Sequence, residues 1–236
     1  MVTHPGISDR VSSALTQDAS SIARLIDSTR LKADTTNDQV IALCEEAAHY
    51  GFASVFVHPS QLALAVSILR STPVRVGTPI GFPLGADLST VKRFQAEEAL
   101  RLGADELDMV LNVAALKSGD RSLVQTDITA VVQVGHDAGA IVKVILETGL
   151  LTLEEKLLAC QLCLIAGADF IKTSTGLHGG ATTEDIVLIR GVVGEKCGVK
   201  ASGGVRTLAD VHAMVEAGAD RIGTSAAAAI MREISS

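Results

Sequence analysis

The sequence predicts an α/β fold, a single (β/α)8 TIM barrel with a short extra N-terminal helix, and three observations carry that expectation. A glycine followed by Ala and Asp, then by a β-branched run, recurs at Gly103-Ala104-Asp105, Gly167-Ala168-Asp169 and Gly218-Ala219-Asp220, with looser copies at Gly51, Gly139 and Gly198. Each glycine follows a helix-like stretch, as a left-handed C-cap does, and each run after it reads as a buried parallel strand. Strand and helix patterns alternate eight times within about 200 residues, the rhythm of a barrel. The chain is 47% hydrophobic but only 3% aromatic, with no Trp. Its core must therefore be built from Val, Ile, Leu and Ala, the side chains that fill α/β barrels.

The elements follow in order. Residues 1–20 form an extension, with Ser8-Asp9 marking a helix start. Strands are expected at 23–27, 53–57, 74–80, 106–111, 141–146, 170–174, 198–202 and 221–224. Helical patterns occupy 37–49, 90–102, 153–166, 183–193 and 208–217, and a short helix over 226–230 follows strand 8. No linker or low-complexity stretch interrupts residues 1–236, so one domain is expected.

The formal net charge of −7 argues against general binding of nucleic acid or anionic membranes. Residues 1–21 are polar and lack the apolar run of a signal peptide. No apolar segment approaches the roughly 20 residues that span a bilayer. A cytoplasmic protein is expected. Cys44, Cys160, Cys163 and Cys197 do not make a disulfide framework in a chain this long. Cys160 and Cys163 have the spacing of a CxxC site, but in a helical pattern without a nearby His, so they read as core filling. The histidines show no ligand spacing, so a metal site is not expected, and His58 and His178 either line the barrel mouth or, as the safer reading, are solvent-facing loop residues.

Charges inside apparently buried strands are more informative. Lys172 and Lys200 lie in the sixth and seventh runs. Burial disfavours an ammonium, and two neighbouring ammoniums repel. One such amine can be neutral near physiological pH, and so nucleophilic. Period-two alternation turns Asp108 inward with Glu106 and Val110, and Lys143 inward with Ile145 and Glu147. One βαβ unit separates Lys172 from Lys200, which puts them on adjacent strands roughly 5 Å apart. Buried ion pairs seldom outperform apolar packing, so this gathering of lysines and carboxylates favours catalysis over architecture. Lys143 either serves the chemistry or only balances carboxylate charge. Asp27, at the end of strand 1, is either a relay member or a helix cap.

A phosphate site is the second element. Ser202-Gly203-Gly204-Val205-Arg206 follows strand 7, and Gly223-Thr224-Ser225 ends strand 8 before a short helix. Unhindered backbone N–H groups and a helix N-terminus suit a phosphate dianion, and barrels often bind one in these two loops. Gly176, closing the strand-6 motif, is assigned to the same subsite. Arg206 either contacts the phosphate or pairs with a surface carboxylate. Gly81-Phe82-Pro83-Leu84-Gly85 reads as a rigid apolar loop over the site, and Gly179-Gly180 as a mobile lid or a plain flexible loop.

Six ordered motifs then stand together: Leu25-Ile26-Asp27 with Thr29, Ile80 to Gly85, Asp105 to Val110, Lys143 to Thr148, Phe170 to Gly176 and Lys200 to Arg206. Over nearly the whole chain they resemble the deoxyribose-phosphate aldolase family. The resemblance implies Lys172 as the Schiff-base lysine, Lys200 and Asp108 beside it in the proton relay, and Lys143, Asp27 and Thr29 in support. It also implies a phosphorylated deoxy-sugar and aldehydes as substrates, a role in deoxyribonucleotide catabolism, no cofactor, and a homodimer as a family-level expectation. Ser28 and Arg30 depart from the family's usual His and apolar residue, Phe56 stands where many members have Cys, and the Leu177-His178-Gly179-Gly180 loop is about one residue short. The rival readings are another Schiff-base barrel, such as a transaldolase-like enzyme, and a non-catalytic sugar-phosphate-binding barrel.

Overall fold

Asp18 opens the part of the chain that this computed structural model describes, residues 18–234. The helix start expected at Ser8-Asp9, and most of the 1–20 extension, lie outside the described residues. Helix α1 (Ala19–Ala23) begins where the Asp18 side chain accepts a hydrogen bond from the Ser21 N–H.

Eight parallel strands close a barrel in sequence order: β1 (Ile26–Arg30), β2 (Ser54–Val57), β3 (Arg75–Ile80), β4 (Glu106–Val110), β5 (Ile141–Ile145), β6 (Phe170–Lys172), β7 (Gly198–Ser202) and β8 (Arg221–Thr224). Helices α2 (Asn37–Tyr50), α3 (Leu62–Leu69), α4 (Ser89–Arg101), α5 (Val113–Lys117), α6 (Arg121–Asp137), α7 (Leu153–Ala166), α8 (Thr183–Val193) and α9 (Leu208–Glu216) form the crossovers, and α10 (Ala227–Ile234) follows β8. Among the described residues no helix is long and apolar enough to cross a membrane.

Two strands differ from expectation by more than one residue. Strand 1 starts at Ile26 rather than residue 23, because Ile22 and Ala23 are the buried face of α1. Asp27 is therefore the second residue of β1, inside the barrel, and not a helix cap. Strand 6 ends at Lys172, although the Thr173 N–H still bonds the Lys200 carbonyl at 3.1 Å.

The recurring Gly-Ala-Asp signature has two uses. Gly51 and Gly167 end α2 and α7 at φ 72° and 80°, a region that a Cβ disfavours. The aspartates reach sideways to the neighbouring strand. Asp105 accepts the Val76 N–H at 2.9 Å, Asp169 the Val142 N–H at 2.8 Å, and Asp220 the Val199 N–H at 2.8 Å. Gly198 is not a cap, since α8 ends at Gly194. Its bare Cα makes room for Phe170, because a Cβ there would stand 2.3 Å from the ring. Gly77 does the same for Phe56, with a Cβ-to-ring distance of 2.4 Å.

Outward strand residues such as Val55, Leu107, Met109, Val144, Ile171 and Val199 join the apolar core beneath the helices. The four cysteines are free and buried, and burial pushes the thiols of Cys160 and Cys197 up to about 12. Apolar packing thus sits mainly outside the sheet, and the barrel's interior holds polar groups together with the Phe56 and Phe170 rings.

Candidate active site

Strand register builds the site. Asp108 is level with Lys143, Lys172 with Lys200, Lys200 with Arg221, and Asp27 with Gly223. The parallel ladder sets these neighbours side by side on the inner face. Asp108 lies at the centre. Its Oδ2 accepts from Lys172 Nζ at 2.8 Å and from Lys200 Nζ at 2.7 Å, while Oδ1 accepts from Lys143 Nζ at 3.1 Å. Lys200 Nζ also stands 2.6 Å from Asp27 Oδ2. Lys143 pairs closely with Glu106. Lys143, Lys200, Asp27 and Asp108 are fully buried, and Lys172 is 4% exposed.

Two contributors complete the centre: Arg221, which escaped the sequence reading, and Phe56, which was read only as a departure from the family. Arg221 donates from Nε to Asp27 Oδ1 at 2.8 Å and also reaches Glu106. The alternation of Arg221 with Gly223 along β8 was the available signal. Phe56 is the second: its ring lies 4.0 Å from Lys200 Nζ, 4.5 Å from Lys143 Nζ and 5.9 Å from Lys172 Nζ, centre to nitrogen. That is cation–π range, and the ring floors the amine cluster.

The electrostatics follow from the count. Lys143, Lys172, Lys200 and Arg221 face Asp27, Glu106 and Asp108, so four cations meet three carboxylates when all are charged. Half-exposed Arg75 approaches Glu106 from the rim at 3.6 Å. Burial alone would raise the Asp108 carboxyl, but Lys143, Lys172 and Lys200 overcome it and hold that group well below the usual carboxylate range. Asp27 is likewise lowered against burial, by Arg221, Lys200 and Lys143. The amine that gives way is Lys200. Burial first, then the like charges of Lys172 and Lys143, bring it down to about 8 against the pull of Asp108 and Asp27. Lys143 goes the other way, because three carboxylates outweigh its desolvation.

Above the cluster opens a cavity of about 1060 Å³, lined by Thr29, Arg30, His58, Phe82, Thr175 and Ser225 among others. Gly176 also lines it, and Phe82-Pro83 lies over it as the sequence suggested. His58 lines the cavity as well, with a buried Nε2 that has no hydrogen-bond partner, so the solvent-facing reading fails for it. Gly203 and Gly204 turn at φ 87° and 82°, and Thr224 Oγ1 donates to the Val205 carbonyl at 2.7 Å, locking the β8 end onto the β7 loop. Gly223 faces the barrel interior, where a Cβ would stand 3.0 Å from Lys200 Cε. Arg206 is exposed, and its backbone N–H donates to Asp210 at the start of α9.

A neutral amine in such a centre can add to an aldehyde, and a neighbouring carboxylate and second amine can move the protons that follow. The class so defined is the lysine-dependent, class I aldolase, a carbon–carbon lyase. Sequence comparison narrows it: residues 21–233 match the model of the DeoC/LacD family aldolases, and the chain belongs to that family. It is 55% identical over 211 residues to a deoxyribose-phosphate aldolase from Geobacillus sp., covering 89% of this chain and 94% of that one. A deoxyribose-phosphate aldolase from Halalkalibacterium halodurans is 56% identical over 213 residues, covering 89% and 95%. Among solved structures, the deoxyribose phosphate aldolase from Aeropyrum pernix, described as uniquely tetrameric, has a TM-score of 0.89 at 33% identity, covering 98% of this chain and 99% of that one.

Proposed function

We propose that this aldolase reversibly cleaves 2-deoxy-D-ribose 5-phosphate to D-glyceraldehyde 3-phosphate and acetaldehyde through a Schiff base on Lys172. The observation that carries the reading is the single Asp108 oxygen touched by both the Lys172 and the Lys200 amines, at 2.8 and 2.7 Å. Neutral Lys200 takes the Lys172 proton across that oxygen, and free Lys172 attacks C1 of the open-chain sugar. Loss of water, assisted by the Lys200 ammonium, gives a protonated imine. Asp108, through a water, then draws off the C3 hydroxyl proton and passes it to Lys200. The C2–C3 electron pair flows into the imine, glyceraldehyde 3-phosphate leaves, and an enamine remains. Protonation at C2 and hydrolysis release acetaldehyde and restore Lys172. Proton transfer by such a pair typically contributes about 10²–10⁴-fold.

Lys143, Asp27 and Thr29 support this centre, with Lys143 and Asp27 holding the charge pattern around Asp108. The phosphate binds over Gly176, Gly203, Gly204, Val205, Gly223, Thr224 and Ser225, with Arg206 at the outer edge. That remote anchor orients C1 toward the amine. The same reading includes a homodimer formed by outer helices, supported by Leu88, Val91 and Phe94, exposed at and beside the start of α4. It also includes a cytoplasmic setting, supported by four unpaired, buried cysteines. A solution mass equal to one chain would count against the dimer.

Borohydride reduction in the presence of acetaldehyde tests the core of the proposal. A reduced two-carbon adduct should map to Lys172 by peptide mass analysis and vanish in Lys172→Ala along with turnover. An adduct on another lysine overturns the assignment.

A further inference from the structure

Glu147 is the described non-glycine residue with left-handed backbone, at φ 58° and ψ 60°. That conformation is strained for a residue with a Cβ and persists only where the surroundings hold it. What holds it is the loop after β6. The buried carboxylate accepts the Thr175 N–H on Oε1 at 3.2 Å and the Thr175 hydroxyl on Oε2, and His178 Nδ1 stands 3.5 Å away. Thr175 Oγ1 in turn accepts the Leu177 N–H at 3.1 Å. The polar partners of Glu147 are thus in the loop, not among the lysines.

Glycine backbone receives the rest of that loop. A Cβ on Gly149 would stand 2.0 Å from the His178 carbonyl oxygen, and one on Gly180 would stand 2.4 Å from the Gly203 oxygen. A Cβ on Gly203 would meet Gly180 Cα at 3.0 Å and Gly176 Cα at 3.3 Å, and the Ala181 N–H bonds the Gly203 carbonyl at 3.0 Å. Residues 175–180 are therefore pressed between the end of β5 and the Gly203-Gly204 turn. The Gly179-Gly180 loop, expected as a mobile lid or a plain flexible loop, makes these backbone contacts on both sides.

We infer that Glu147 is a positioning residue for the anionic end of the substrate. It fixes where Thr175 and Gly176 sit relative to Gly203, and so shapes the phosphate subsite without touching the reacting atoms. The inference rests on the proposed phosphate subsite and deepens it.

Steady-state kinetics on 2-deoxy-D-ribose 5-phosphate and on unphosphorylated 2-deoxy-D-ribose test it, with wild type, Glu147→Gly, Thr175→Val and Thr175→Ser. Glu147→Gly relieves the backbone but deletes the carboxylate, and Thr175→Val deletes only the hydroxyl. Each should raise KM for the phosphate ester about tenfold or more while kcat moves less than about threefold, and the unphosphorylated sugar should be nearly indifferent. Thr175→Ser should restore the wild-type KM. If Glu147→Gly does not fold, as judged by circular dichroism, the Thr175 pair decides. Equal losses on both sugars, or no change in KM for the ester, overturn the role of Glu147. A wild type that does not prefer the ester fails earlier: it overturns the phosphate subsite itself.

Discussion

Replacing Lys143 by Met tests the charge count at the barrel's centre. Methionine keeps the apolar length of the side chain and removes the ammonium. Lys143 Nζ lies against Glu106, 3.1 Å from Asp108 Oδ1 and 3.8 Å from Asp27 Oδ2, with no solvent exposure. Without it, three cations face three carboxylates, and the surplus that favours a neutral amine is gone. The Nζ atoms of Lys143 and Lys200 stand 4.5 and 4.0 Å from the centre of one Phe56 ring, which bounds their separation at about 8.5 Å. At that limit, with an effective dielectric of about 20, their repulsion is about 2 kcal/mol, equivalent to about 1.4 pKa units. The Lys200 amine should therefore move from about 8 to above 9. A base works in its neutral form, so a higher pKa leaves less of it, and kcat/KM at pH 7 should fall about a further 25-fold. Stability should drop by about 3–5 kcal/mol, the usual cost of breaking a buried pair, so the profile is best recorded well below the melting temperature. The assay is kcat/KM from about pH 6 to pH 10 for both proteins. An acid limb that stays near 8 in the variant, with activity lost evenly across the range, would refute the count.

Lys200→Met should lower kcat by about 10²–10⁴-fold and abolish the acid limb near pH 8, while borohydride still labels Lys172 slowly. A limb that survives the substitution belongs to another group. Gly77→Ala should cost about 1–3 kcal/mol, because its Cβ would stand 2.4 Å from the Phe56 ring. Adding Phe56→Leu should recover most of that loss in urea unfolding, and no recovery would mean that the ring is not the obstacle. Arg221→Met strips Asp27 and Glu106 of a shared cation and should cost about 3–5 kcal/mol. An unchanged unfolding midpoint would show that Lys143 and Lys200 suffice for both carboxylates.

Much of the frame was legible because repetition and alternation are sequence-level properties. Gly103, Gly167 and Gly218 announce strand starts, and period two alone turned Asp108, Lys143 and Lys172 inward. The start of β1 was misplaced by three residues, since Ile22 and Ala23 suit a buried helix face as well as a strand, and only the Asp18 cap decides. Arg221 was passed over because an arginine opening a strand looks like a surface residue until the register sets it beside Lys200. Glu147 was legible as inward but not as strained, because nothing in the side chain of a glutamate reveals a positive φ. The actual use of Gly198 was also hidden: its spacing imitates a helix cap, and the ring it accommodates comes from the neighbouring strand.

The aspartates at positions 105, 169 and 220 secure strand starts at the end of the barrel remote from the lysines. The molecule thus divides labour between its two poles, one anchoring and the other reacting. Loops on the reacting pole, such as those bearing Leu31 and Leu177, can be re-engineered for bulkier aldehydes while the opposite pole keeps the staves aligned.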